Sequence, residues 1–171
     1  ICLEEWDVNA QDMLLICCCR KVCRSCEDKI GTACPLCRVP RAKESAEELA
    51  LLRRHVENEV PEAIRFLGNA YRWGYYGLVK SDKKAAKIWK RAVELGNVDA
   101  MVSLGRLYEH GSGVKLDNRK AERLFRTAAD RGDAFAQYNL GVLLHRDSEE
   151  RSEEAFRYFV LAADQGYTSA K

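Results

Sequence analysis

The 171-residue sequence lacks features that would assign it to several protein classes. Its longest apolar run, at 13–19, has seven residues, whereas a membrane-spanning helix needs about 20. Neither half of the chain is a polycation, because residues 1–43 carry seven basic and six acidic side chains and the remainder carries 21 and 20. We therefore expect no nucleic acid and no membrane among its partners.

Cysteine is absent from the last 134 residues, although the chain contains eight. A segment of about 40 residues is too short to be stabilised by an apolar core alone. We expect no secretory signal and hence a reducing intracellular compartment, cytoplasmic or nuclear, where clustered cysteines more often bind metal than form disulfides. The predicted cofactor is zinc. The candidate ligands are Cys2, Cys17, Cys18, Cys19, Cys23, Cys26, Cys34 and Cys37.

Two cysteine pairs, Cys23/Cys26 and Cys34/Cys37, have the spacing Cys-x-x-Cys, which lets a tight turn present two thiolates to one tetrahedral zinc. The cysteine order over residues 1–40 resembles a RING-type zinc finger. Cys-Arg-Ser-Cys and Cys-Pro-Leu-Cys-Arg match the third and fourth ligand pairs of that family. The resemblance implies two zinc ions in a cross-brace, in which the first and third pairs hold one ion and the second and fourth pairs hold the other.

The front half of the cysteine pattern leaves alternatives open. The first ligand pair of the family would end at Cys2 and begin two residues before Ile1, so we expect an N-terminally truncated finger. Three consecutive cysteines compete for the two places of the second pair, and one thiol is left over. The resemblance implies one ion held by Cys2, Cys23 and Cys26. The other ion would be held by Cys17, Cys34 and Cys37 together with either Cys18 or Cys19.

A RING-type finger implies a ubiquitin-protein ligase without a covalent catalytic residue. In that family the finger binds a ubiquitin-charged conjugating enzyme and accelerates transfer by orienting the reactive thioester. The family's contact positions fall on Ile1, Pro35, Leu36 and Arg38 in this sequence. Arginine suits such a contact because its planar guanidinium offers several donors at once. The alternative is a non-enzymatic scaffold whose zinc module is only structural.

Residues 60–166 repeat with a spacing of 34 to 37 residues. Leu-Gly recurs at 67–68, 104–105 and 140–141, and one aromatic place is held by Trp89, Phe125 and Phe159. The pattern within each unit predicts two closely packed helices. Small residues at fixed places let the helices approach, and the aromatic residue fills the gap that remains between them. The first helices are predicted at 62–73, 99–109 and 135–145, and the second helices at 82–95, 118–131 and 152–165.

The segment from Ala100 to Val114 reads Ala-x-x-x-Leu-Gly-x-x-Tyr-x-x-Gly-x-Gly-Val and resembles the Sel-one-like repeat, a relative of the tetratricopeptide repeat. The resemblance covers three units, at about 60–97, 98–133 and 134–166, and residues 167–171 resemble the start of a truncated fourth. Residues 41–59 join the two parts, with a capping helix at 46–56. The predicted fold class is mostly α: a small zinc-stabilised RING-like finger followed by an α-solenoid of helix-turn-helix repeats.

Stacked repeats of this kind expose a curved groove, which in the family holds partner proteins. No catalytic set is visible in the repeats. The variable polar positions of the first helices are the groove candidates: Asn69, Arg72, Arg106, Glu109, Asn139 and His145. The predicted function is a ubiquitin ligase that binds a conjugating enzyme and ubiquitin through the finger and a protein substrate or adaptor through the repeats.

Overall fold

The computed structural model describes residues 13–15, 20–22, 45–147 and 149–167. A short hairpin is formed by β1 (Met13–Leu15) and β2 (Arg20–Val22), which pair antiparallel with Met13 opposite Val22. All eight cysteines and the four contact positions Ile1, Pro35, Leu36 and Arg38 lie outside the described residues, so the finger and its zinc ions stay predictions.

The rest of the described chain is helical, with one capping helix followed by the first and second helices of each repeat in turn. Short 3₁₀ turns follow the first helices of the first and third repeats, at Tyr75–Gly77 and Glu149–Arg151. No helix in the described ranges is long and apolar enough to cross a membrane. The helices are α1 (Ser45–Glu57), α2 (Pro61–Trp73), α3 (Asp82–Glu94), α4 (Val98–His110), α5 (Asn118–Asp130), α6 (Ala134–Asp147) and α7 (Ser152–Asp164). The six repeat helices predicted from the spacing are confirmed to within two residues at each end.

Helix α1 covers the exposed side of the first repeat. Its residues Leu49 and Leu52 are buried and form one apolar cluster with Ala63 and Leu67 of α2. Leu49, Leu52 and Val56 recur at the i, i+3, i+7 spacing of one helix face, and Val56 packs against the same cluster. The helix therefore occupies the place that a preceding repeat would take.

The helices of each repeat meet where a glycine of the first faces an aromatic ring of the second. A Cβ atom built on Gly105 would lie 2.7 Å from Phe125 Cε1, and one built on Gly141 would lie 2.7 Å from Phe159 Cε1. Carbon atoms in contact are ordinarily about 3.5–4.0 Å apart. Any side chain at these glycines would therefore push the two helices apart, which explains the recurring Leu-Gly pair.

Side-chain and backbone caps fix where each helix begins and ends. Asn97 and Asp117 precede α4 and α5, and their side chains accept hydrogen bonds from the backbone N–H groups of Ala100 and Lys120, at 2.9 and 3.0 Å. The prediction that Asp117 caps its helix is confirmed. Gly96, Gly132 and Gly166 follow the second helices with φ between +81° and +85°, as predicted from their spacing.

Successive repeats share apolar clusters, so the stack has a continuous core. Ala85 and Trp89 of the first repeat pack in one cluster with Ala100 and Leu104 of the second. The next cluster joins the second repeat to the third in the same way, around the fully buried ring of Phe125. Each repeat therefore depends on its neighbour to bury its apolar face.

An ion-pair network fastens α7 to α5. Arg151, in the turn before α7, donates two hydrogen bonds to the Glu122 carboxylate, at 2.6 and 3.2 Å. Arg126 bridges Glu122 and Glu154 with contacts of 3.0 and 2.7 Å. The hydrogen bond from Arg151 is the largest of the effects that lower the pKa of Glu122, and Arg126 lowers the pKa of Glu154.

The glycine–aromatic contact predicts that Gly105→Ala destabilises the stack. Alanine gains about 1 kcal/mol as a better helix former, but overpacking against a buried ring costs about 1–3 kcal/mol. We expect the free energy of unfolding to fall by about 1 kcal/mol, measured by urea denaturation and circular dichroism. In a double-mutant cycle, Phe125→Leu should reduce this penalty, because the smaller side chain leaves room for the methyl group. An increase in stability on Gly105→Ala would contradict the contact.

The network on α5 predicts a pH-dependent stabilisation. A carboxylate whose folded pKa is lowered stabilises the fold above its unfolded pKa, and this stabilisation is lost as the pH falls through the folded pKa. Glu122→Gln should therefore lower the free energy of unfolding by about 1 kcal/mol at neutral pH. The difference from the unsubstituted chain should shrink once the pH falls below the ordinary carboxyl value of 4.5. Glu153→Gln, which removes only the exposed pair with Arg157, is the matched control and should change little. A pH-independent effect of Glu122→Gln would refute the ionic explanation.

Candidate partner-binding surface

Equivalent positions in the three repeats place the six groove candidates in three classes. Counting from the recurring alanine of each first helix, Asn69 and Arg106 are equivalent, as are Arg72, Glu109 and His145. Asn139 is equivalent to Ser103 and Phe66. Positions three, four and seven residues apart share one side of a helix. We define the first-helix face by Arg65, Phe66, Asn69, Asp99, Ser103, Arg106, Phe135 and Asn139, none of which is buried.

Side chains on neighbouring first helices touch one another, which makes the first-helix face continuous. Arg65 Nε of α2 lies 3.3 Å from a carboxylate oxygen of Asp99 on α4. The guanidinium of Arg106 on α4 lies over the Phe135 ring of α6, at 5.7 Å from its centroid. A partner lying across the three helices would therefore meet one surface rather than three separate ridges.

Three of the predicted groove residues lie on this face. Asn69 is half-buried and has no side-chain partner within the described part of the chain, and Arg106 is exposed. Asn139 donates a hydrogen bond from its amide nitrogen to the backbone carbonyl of Phe135, at 2.5 Å. The amide of Asn69 and the guanidinium of Arg106 are therefore available to a partner, whereas the Asn139 amide already has one local bond.

The other three predicted residues, Arg72, Glu109 and His145, hold equivalent positions near the ends of the first helices, on the side that faces neighbouring helices. Arg72 forms an ion pair with Asp82 at the start of α3. The Glu109 side chain is only 8% exposed and contacts Arg146 of α6 at 3.2 Å. Arg72 and Glu109 therefore serve the packing of the repeats, while their equivalent His145 is exposed.

Sequence reasoning missed the cation and aromatic pairs of this face. The Arg65 guanidinium lies over the Phe66 ring at 4.6 Å, and its side chain is 14% exposed. Burial lowers the pKa of Arg65, and the nearby Asp99 carboxylate partly opposes this effect. Arg65 has no basic equivalent, because Val102 and Tyr138 occupy its place in the other repeats. This basic residue at a position that is not basic in the other repeats is the sequence feature that could have indicated a special contact there.

The described residues hold no cluster of histidine, cysteine, aspartate and glutamate suited to a metal ion. The predicted zinc ligands are all among the residues that are not described. The first-helix face carries amides, cations and aromatic rings.

Comparison with known proteins identifies the repeats. The family model of the Sel1 repeat matches residues 61–97, 98–133 and 134–167. The chain is 32% identical over 85 residues to a Sel1-like repeat-containing protein of Acanthamoeba polyphaga mimivirus and 30% identical over 105 residues to an F-box protein of Arabidopsis thaliana. It also resembles the crystal structure of a Sel1 repeat protein from Oxalobacter formigenes, with a TM-score of 0.67 and 26% identity.

These matches cover part of each protein. They include 50% and 61% of this chain but only 16% and 28% of the viral and plant proteins. The match to the Oxalobacter formigenes structure includes 73% of this chain and 52% of that chain. The likeness therefore concerns the helical repeats, which are the part of the chain that the structure describes most fully.

Proposed function

Because the chain belongs to the Sel1 repeat family, we propose that it is a protein–protein interaction scaffold whose first-helix face holds a partner protein. The continuity of that face across α2, α4 and α6 carries the proposal. The face offers the rings of Phe66 and Phe135 and, on its middle helix, Arg106, which are residue types that supply much of the binding energy at protein interfaces. The amides of Asn69 and Asn139 add polar groups that can fix the register of a bound partner.

Substituting one cation of the face tests the scaffold proposal. Arg106→Glu reverses the charge at its centre and should abolish capture of the proteins that the unsubstituted chain retains from a cell extract. Arg123→Glu makes the same change on α5, at an exposed arginine outside this face, and should leave capture intact. Both variants should keep their helical circular dichroism. Equal loss of capture in both, or in neither, would contradict the assignment of the face.

We further propose that the scaffold recruits substrates for a RING-type ubiquitin ligase. Support comes from the Cys-x-x-Cys pairs and from the residues Pro35, Leu36 and Arg38 at the family's contact positions. The finger would bind a ubiquitin-charged conjugating enzyme while the repeats hold a protein substrate. Joining both partners on one chain raises the local concentration of the substrate around the thioester.

The chemistry of the donor set fits zinc. Thiolates at Cys-x-x-Cys spacing are the ligands of structural tetrahedral zinc sites, where the metal contributes folding energy. β2 lies between Cys19 and Cys23, and its three residues span about 10 Å when extended. Ligands of one tetrahedral zinc lie about 4 Å apart, so Cys19 and Cys23, which directly flank β2 in the sequence, would not share one ion. The hairpin is therefore compatible with two zinc sites rather than one.

The proposed ligase step is an acyl transfer that needs no covalent residue of this chain. A neutral substrate lysine amine attacks the thioester carbonyl carbon, the carbon–sulfur bond breaks as the conjugating enzyme's thiolate leaves, and the nitrogen gives up one proton to solvent as the isopeptide bond forms. Arg38 would orient the thioester by donating hydrogen bonds to ubiquitin and to the conjugating enzyme, because its guanidinium presents five donors in a fixed plane. The substrate-binding repeats would keep the lysine within reach.

A ubiquitination assay with a panel of conjugating enzymes tests the ligase proposal. The protein should include any residues that precede Ile1 in the natural polypeptide. We expect ubiquitin chains with at least one enzyme, their loss on Arg38→Ala, and their retention on Arg41→Ala, the matched control three residues further on. Zinc content, measured by atomic absorption, should be equal in all three proteins.

A zinc-loaded, folded protein that forms no chains with any enzyme would refute the ligase proposal and leave the scaffold proposal standing. Two sequence features favour that non-enzymatic candidate. Three cysteines compete for two ligand places at Cys17–Cys19, and Ile30 is the only large apolar residue between the third and fourth pairs.

A further inference from the structure

Four large apolar side chains are exposed where the chain turns from the first to the second helix of the first two repeats. Trp73, Tyr75, Val79 and Leu116 are 57%, 56%, 80% and 57% exposed, and we call these four residues the turn-edge surface. Scattered single apolar residues are normal on a protein surface, whereas a cluster of large ones marks an interaction site.

The second of these turns packs against the chain that directly follows the first turn. The turn after α4 lies against the start of α3, so closely that a side chain at Gly113 would clash with the backbone of Asp82 and Lys83. Lys80 links the start of α3 to the first turn, because its ammonium group lies 5.8 Å from the Trp73 ring centroid. The guanidinium of Arg72 lies over the same ring, at 5.3 Å. Two cations therefore lie beside the Trp73 ring.

The charge around the turn-edge surface is uncompensated and positive. Both carboxylates at the starts of the second helices are already paired, Asp82 with Arg72 and Asp117 with Lys120 at 2.9 Å. Cations of the two turns and of the first residues of α3 and α5 have no carboxylate partner among the described residues. Four of them are Lys80, Lys83, Lys115 and Arg119, while Lys84 lies over the Tyr71 ring. The corresponding turn of the third repeat is acidic instead, with Asp147, Glu149 and Glu150.

We propose that the turn-edge surface docks an acidic peptide segment of another protein, anchored by an aromatic or large aliphatic side chain. Carboxylates of such a segment would complement the four unpaired cations, and its anchor would pack on Trp73 and Leu116. Interfaces place aromatic anchors at the centre and charges at the rim, where the charges govern specificity and the rate of association.

This docking surface lies at the turns and uses none of the residues of the first-helix face. It therefore adds a second site of different chemistry to the scaffold. A chain that binds an acidic segment at the turns and another protein along its first helices would bring the two partners together.

Fluorescence anisotropy with three labelled synthetic peptides tests the proposal on the whole chain. The first peptide alternates glutamate and aspartate around a central Phe-Leu pair, the second has serines in place of that pair, and the third has lysines in place of the acidic residues. Only the first should bind in the micromolar range, and its affinity should fall as salt is added, because screening weakens contacts between exposed charges. Equal binding of the second or third peptide would overturn the proposal.

Variants of exposed residues locate the site. Trp73→Ala should weaken binding of the first peptide about tenfold. Lys83→Glu should weaken it clearly, whereas Lys90→Glu, the same change two turns further along α3, should leave it within about twofold. Unchanged affinity in Trp73→Ala would overturn the proposal. Sedimentation experiments test a second copy of the chain as the occupant. Self-association that grows with concentration and is abolished by Trp73→Ala would also overturn the proposal, because the occupant would then be a second copy. Neither result affects the Arg106→Glu test of the first-helix face.

Discussion

The two helices of each repeat approach closely at a position where one of them has no side chain. Gly105 faces Phe125 and Gly141 faces Phe159 across contacts that leave no space for a methyl group. Because the ring fills the volume that the glycine leaves, neither residue can change size alone without a clash or a cavity. This pairing fixes the separation of the two helices, and with it the direction in which the remaining sides of each helix point.

Stacking of the repeats then divides the surface between packing and binding. Positions beside the adjacent helices are used by the fold, as the Arg72–Asp82 and Glu109–Arg146 pairs show. Positions on the outward side of the first helices, such as that of Arg106, are not needed for packing the core, so their side chains can change with little effect on stability. A repeat scaffold thus combines an invariant interior with a surface that suits one chain's own partners.

The turns between helices follow a different rule, because they contribute little to the core. Those of the first two repeats expose Trp73 and Leu116 among unpaired lysines, whereas that of the third carries carboxylates. The proposed zinc finger would add another binding module at the N-terminal end of the chain. The chain's proposed roles all depend on holding other molecules in position, and none requires a nucleophile within the repeats.

Sequence alone determined the helical repeats and their number. The Leu-Gly pairs, the recurring aromatic residues and the glycines after the second helices each serve packing or helix termination within one repeat, so their spacing along the chain reveals the unit. The sequence also singled out the cysteine cluster, whose zinc ions stay a prediction. Only the tertiary structure decided which polar residues are occupied: Glu109 reads as a surface residue along its own helix, yet Arg146 from the next repeat contacts it. The same holds for Arg65 beside Asp99 and for the turn-edge surface. Contacts between repeats join residues more than 30 positions apart, and no local pattern in the sequence records which side chains they bring together.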